Sequence, residues 1–279
     1  MRTDRKSPAV AVFAGYDAGH HGLPAELLDA RAVLLQVDGA AHADLPPASE
    51  SEAVEQLARQ LAAADTETAD ATAVLDLRRQ REAYAVRSAI FSRAVGLAGG
   101  QLGQVVADLA DVVITEHLAP VVAEVFAQLV QHARTLEALD GADERALIAA
   151  PKPVRDAWLA VDLQAARYSA VRACRAHVLR LAGDVPEHDE AGHFAEISNP
   201  VDVWPEMVTS KRPLGQLIPP WPTDSTRARL IWYATNDARP WCPTREEQET
   251  AWLAVFGERL ERARTNQQAA AGWRAAFGA

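Results

Sequence analysis

The sequence predicts a mainly α-helical fold, organised around one long, kinked helix that packs against a second helix. Three observations predict it: an apolar residue recurs at every seventh position from Leu77 to about Leu139, alanine is used heavily, and capping-type patterns precede two apolar stripes. We expect four parts: a small N-terminal α/β or β-hairpin segment over 1–48, a helical bundle or coiled-coil region over 49–182, a Pro/Trp-rich arm over 183–243, and a C-terminal helix over 244–279.

The heptad row defines a predicted interaction seam. All nine of its positions are apolar: Leu77, Tyr84, Phe91, Ala98, Val105, Val112, Ala119, Phe126 and Ala133. A strict seven-residue repeat requires a partner helix, wound left-handed against it. Pro120 lacks an N–H and crowds the carbonyl of Glu116, so a kink is expected there, and the four glycines of 96–103 mark the softest part of the helix. The residues expected to carry the interaction are Phe91, Leu102, Val105, Leu109, Val112 and Phe126.

Two partners for this seam stay open at this point. A second helix, opened by Pro153 and running to about Leu181, carries an apolar stripe and can fold back antiparallel to make an intramolecular bundle. The other reading is self-association of two chains through the same seam.

The N-terminal segment contains the best candidate for a functional loop. Residues 9–14 and 31–37 are rich in Val and Leu and predict two short strands. Between them, the loop over 15–22 holds Asp17, His20 and His21, residue types that can bind a metal ion. Its glycine spacing matches neither a P-loop nor a dinucleotide fingerprint, which favours a plain turn.

Capping patterns, prolines and tryptophans predict the remaining elements. Ser49 with Glu52, and Thr244 with Glu247, are capping-box patterns that open helices. Nine prolines and four of the seven tryptophans fall in the arm, which is expected to drape over the helices without a core of its own. Residues 228–234 within it fit either strand or helix. In the C-terminal helix, Arg259, Arg262 and Arg274 either contact an acidic partner or form a solvated face.

The charge distribution and the sequence motifs argue against several classes of protein function. Residues 14–76 carry twelve acidic side chains against two arginines, a net charge of −10, which argues against general nucleic-acid binding. Glu124 interrupts the most apolar run, which argues against a membrane span. Two cysteines suit a reducing cytoplasm. We find no Gly-x-Ser-x-Gly elbow, His-Glu-x-x-His or Walker motif, so an enzyme is disfavoured and no cofactor is expected.

Several segments resemble proteins encoded by tailed phages and prophages of high-GC Actinobacteria, often among head and packaging genes. The resemblance lies in the last two-thirds of the chain, in Ala150-Pro-Lys-Pro-Val-Arg-Asp-Ala-Trp-Leu-Ala-Val-Asp162, Ala166-Arg-Tyr-Ser-Ala-Val-Arg172, Trp221-Pro-Thr-Asp-Ser225, Ala228-Arg-Leu-Ile-Trp232, Pro240-Trp-Cys-Pro-Thr-Arg-Glu-Glu-Gln248 and Ala251-Trp-Leu-Ala-Val-Phe-Gly257. It implies a virion-assembly protein, scaffolding-like or head-associated, in the host cytoplasm or virion, whose partners are itself or capsid proteins. The alternatives are a cytoplasmic adaptor or regulatory protein, and a metal-dependent enzyme that uses the 15–22 loop.

Overall fold

The computed structural model describes residues 11–43, 47, 49–62, 71–136, 144–183, 189–210, 212 and 216–277. Its elements in these ranges are helices, with no strand and one isolated antiparallel bridge between Ile197 and Pro240. The mainly α fold is therefore confirmed. The chain divides into two compact units, residues 25–105 and residues 1–24 with 106–279.

The two predicted N-terminal strands are wrong within the described residues. Helix α1 spans Ala14–Asp17, and helix α2 spans Ala25–Ala41, so 31–37 lies inside a helix. Leu27 and Leu34 are seven residues apart, lie on one face of α2 and are both buried. This helical spacing extends beyond residues 31–37, so that segment alone does not show it. Residues 9 and 10 fall outside the described ranges.

The unit of residues 25–105 contains α2, α3 (Glu50–Ala62) and most of α4 (Ala71–Asp108). Helix α3 begins directly after Ser49, as the capping pattern predicts. Helix α4 continues through Gly96, Gly99, Gly100 and Gly103 without a break, so the expected soft point does not interrupt it.

The long helix changes geometry just before Pro120. After α4 come a single turn, α5 (Ala110–Val112), a π-helical turn over Val113–Leu118, and α6 (Ala119–Leu136). Pro120 is the second residue of α6, which continues directly from the π-helical turn. The predicted irregularity thus exists, but the π-helical turn absorbs it upstream of the proline.

Helix α7 (Glu144–Ala149) precedes α8 (Lys152–Leu181), which packs antiparallel on α6. The register is visible in two side-chain pairs: Arg167 donates to Glu124 over 2.8 Å, and three residues earlier on α8 Gln164 donates to Gln128 over 2.6 Å. The predicted antiparallel partner for this half of the long helix is therefore α8 of the same chain. The fully buried apolar residues of this pair, each worth about 1.5–3 kcal/mol, include Val125, Leu129, Val161, Val171 and Val178.

The arm forms short helices and a cluster of aromatic rings. A 3₁₀ helix spans Asp189–Ala195, α9 Pro200–Val203, α10 Glu206–Thr209 and α11 Thr226–Thr235, so residues 228–234 are helical. Trp204 and Trp221 are buried with ring centroids 5.5 Å apart, and Tyr233 lies 5.9 Å from Trp221. The arm thus packs over the helices as expected, because α11 contacts α6 and α8, and its aromatic rings also bury one another.

Helix α12 spans Arg245–Phe277 and begins with the predicted capping box. The Thr244 hydroxyl accepts from the backbone N–H of Glu247 at 3.2 Å, and the Glu247 carboxylate accepts from the N–H of Thr244 at 2.8 Å. Trp252 and Phe256 are the buried anchors of this helix, and Phe256 meets Phe194 of the 3₁₀ helix edge to face.

Candidate functional site

The 15–22 loop packs tightly and does not bring its predicted metal ligands together. The Nδ1 of His21 lies 2.9 Å from the carbonyl oxygen of Gly22, and the His20 carbonyl accepts from Arg167. A Cβ at Gly15 would lie 2.5 Å from the Nε2 of His21, so only glycine allows this approach. Within the described ranges no three His, Cys, Asp or Glu side chains are grouped to hold a metal ion. A metal at Asp17, His20 and His21 stays a prediction.

Histidine 21 is a packed interior residue. It is 7 % exposed. Burial lowers the pKa of His21, and the nearby His20 and His117 lower it further, against the raising effect of the Gly22 contact. The imidazole is therefore neutral at neutral pH, as its packed setting requires.

The unit of residues 1–24 with 106–279 contains a partly buried, ion-paired cluster centred on Glu196. Arg229 Nη1 donates to both carboxylate oxygens, at 2.8 and 3.0 Å, and the Tyr233 hydroxyl donates to Oε2 at 2.7 Å. Burial raises the pKa of Glu196, but Arg172, the Tyr233 hydroxyl and Arg229 together lower it below its ordinary value. Glu196 thus stays ionised and ties the 3₁₀ segment to α11.

Two arginines of α8 brace the start of α12. Arg175, 5 % exposed, donates to the Pro243 carbonyl at 2.6 Å and to Gln248 Oε1 at 2.7 Å, and Arg172 donates to the Trp241 carbonyl at 3.3 Å. Burial lowers the pKa of Arg175 to about 10, so it is still protonated at neutral pH. These contacts hold the end of the arm against α8.

Both cysteines lie beside this brace as unreactive thiols. Burial raises the pKa of Cys174 to about 12, and it also raises that of Cys242. Neither side chain supplies a thiolate at neutral pH. They therefore serve as small interior residues.

The predicted seam residues are distributed between core and surface. Leu102 is fully buried, while Phe91, Val105, Leu109, Val112 and Phe126 are half-buried. The Arg87 guanidinium lies 5.4 Å above the Phe91 ring. Between Ala98 and Ala110 the buried positions recur every four residues, so the chain's own core leaves the seven-residue row. An interaction through the seam stays a prediction.

A second apolar row on α4 is exposed. Its members are 53–63 % exposed: Leu75, Val86, Ile90 and Leu97. At about 100° per residue they fall within roughly 60° of one another, and roughly 140° round the helix from the heptad row. We call these four residues the exposed row. Sequence inspection for seven-residue spacing passes over it because its steps are eleven, four and seven.

Helix α3 is also apolar and uncovered on one side. Val54 and Leu61 are 46 and 54 % exposed, and no described side chain of α3, or of α4 as far as Leu97, is buried. The two helices line a groove of about 500 Å³ that includes Leu57, Val74 and Leu77. Since Leu77 belongs to the heptad row, α3 lies on that side of α4 and leaves the exposed row open.

Arg259 and Arg262 lie on the surface, and the helix Ala110–Leu136 packs as part of the core. Arg259 is exposed, Arg262 pairs with Glu258 at 2.8 Å on the surface of α12, and the Arg274 side chain lies outside the described part. The combined helix Ala110–Leu136 is long and apolar enough to cross a bilayer by length and composition. It carries the Glu124–Arg167 pair and packs on α8, as a core helix does.

No family model, curated protein or solved structure matches this chain. Its fold defines a mainly α-helical protein in which one unit has a hydrogen-bonded core and the other exposes large apolar side chains on α3 and α4.

Proposed function

We propose that this chain is a non-enzymatic assembly protein that acts through association of its N-terminal helices α3 and α4. The resemblance of its last two-thirds to actinobacterial phage and prophage proteins supplies the setting: virion assembly in the host cytoplasm, with further copies of itself or capsid components as partners.

The observation that carries this proposal is the exposure of α3 and α4. From residue 50 to Leu97 no described side chain is buried, although the exposed row, Val54 and Leu61 are large and apolar. Helices that lack tertiary packing are marginal in water, because most helical stability comes from burying an apolar face. A partner surface that covers these side chains would supply the missing burial.

The interior of the second unit supports a structural role. Glu196 is paired with Arg229, Arg175 is hydrogen-bonded to backbone and amide acceptors, and the thiols of Cys174 and Cys242 are held protonated. These groups fasten the arm to α8 and α12.

Size-exclusion chromatography coupled to light scattering tests the proposal. One chain has a mass of 30.1 kDa. We expect a mass above this value that rises with protein concentration over about 5–200 µM, since association follows mass action. A mass of one chain throughout this range would contradict self-association.

A further inference from the structure

We propose that the exposed row of α4 is covered by helix α3 of a second copy of this chain, and reciprocally. This inference rests on the proposed function and specifies its partner. Each pair of copies would then contain two equivalent α3–α4 contacts, related by a two-fold axis.

Charge complementarity favours this occupant. Helix α3 holds Glu50, Glu52 and Glu55 against Arg59, three negative charges and one positive, for a net −2. The stretch 71–97 of α4 holds five arginines against two acidic residues, for a net +3: Arg78, Arg79, Arg81, Arg87 and Arg93 against Asp76 and Glu82. An acidic helix is therefore the matched neighbour for the flanks of the exposed row.

Apolar spacing also matches. Val54 and Leu61 of α3 are seven residues apart, as are Ile90 and Leu97 of α4, and both pairs are about half exposed or more. Seven residues span about 10.5 Å along a helix. The two pairs can thus interleave along one helix–helix contact, as side chains do in a coiled coil.

Among the described residues of one chain, the neighbours within reach of the exposed row do not cover it. The α3 helix of the same chain faces the heptad side of α4, where Leu57 and Leu77 line the groove. Two α4 helices meeting antiparallel about Val86, the middle of the exposed row, would place Arg79 opposite Arg93 of the other copy, since both are seven residues from the centre. Like charges directly opposed disfavour that pairing.

Paired charge reversal tests the inference on the full chain. One variant carries Glu52→Lys and Glu55→Lys on α3, and the other carries Arg79→Glu and Arg93→Glu on α4. Each alone is expected to associate at least about tenfold more weakly than the unmodified chain, because both of its contacts become repulsive. An equimolar mixture regains association, since in a mixed pair reversed α3 meets reversed α4 in one contact and unmodified α3 meets unmodified α4 in the other.

Matched controls lie outside α3 and α4 at exposed positions, where Glu258→Lys with Glu261→Lys, or Arg134→Glu with Arg180→Glu, changes net charge equally. These variants should associate like the unmodified chain. Circular dichroism of all variants verifies their helicity.

The outcomes separate the two proposals. Recovery in the mixture alone supports reciprocal α3–α4 pairing, because a purely structural defect within each chain would persist on mixing. An unmodified chain that associates while both reversals have no effect, or while the mixture fails to recover, overturns the pairing and leaves the proposed function standing. A chain that stays monomeric overturns the pairing together with self-association.

Discussion

Replacing Ile90 with Asp tests the exposed row with little disturbance to the chain's own fold. Ile90 is 63 % exposed, so most of its burial is available only to a partner. Full burial of such a side chain is worth about 1.5–3 kcal/mol, so the exposed part contributes about 1–2 kcal/mol. A two-fold pair contains two copies of the contact, which gives about 2–4 kcal/mol. At 1.4 kcal/mol per factor of ten, the dissociation constant should rise at least about thirtyfold.

Ile218 provides the matched control, because it is 84 % exposed in the arm and lies outside the exposed row. Ile218→Asp makes the same chemical change and should leave the dissociation constant unchanged. Light scattering over a concentration series measures both variants, and thermal unfolding monitors their folds. Equal weakening by both substitutions, or none by Ile90→Asp, would refute a specific role for the row.

Three further predictions concern the braced unit. Thr244→Ala removes the cap of α12 and should cost about 1 kcal/mol, lowering Tm by roughly 2–4 °C in a thermal melt; an unchanged Tm would contradict the reading of the cap. The buried Tyr168 hydroxyl has no hydrogen-bond partner within the described part of the chain, so Tyr168→Phe should be neutral or stabilising in denaturant unfolding. Tyr233→Phe loses a charged hydrogen bond to Glu196, so it should lower the free energy of unfolding by about 1.5–3 kcal/mol. The pKa of folded Glu196 is lowered, so its stabilising contribution is present above the unfolded pKa of about 4.3 and is lost as pH falls through the folded pKa. The difference in unfolding free energy between the unmodified chain and Glu196→Gln should therefore shrink below about pH 4.3. A difference that grows there would contradict a lowered pKa.

Prolines and capping boxes in the sequence predicted where the helices that follow them begin. Pro151 and Pro153 bracket the start of α8, which begins at Lys152, and the Thr244–Glu247 pattern opens α12 with both reciprocal hydrogen bonds. Such signals act over three or four residues, so they can be read without knowledge of the tertiary structure.

Features that depend on distant residues could not be read in this way. Glu196 meets Arg229 across 33 positions, and Arg172 meets the Trp241 carbonyl across 69. The strand prediction over 31–37 is wrong because five of its seven residues are strong helix formers (Arg, Ala, two Leu and Gln), and the helix buries Leu27 and Leu34 on one face. The heptad spacing does not predict the exposed row, because the row lies on another face of the same helix.

Hydrogen exchange of α4 at two protein concentrations tests the central claim most directly. The account predicts that backbone amides of residues 71–97 become more protected at high concentration, because a second copy then covers the exposed row, while α8 exchanges at the same rate in both samples. Identical exchange of residues 71–97 at the two concentrations would contradict it.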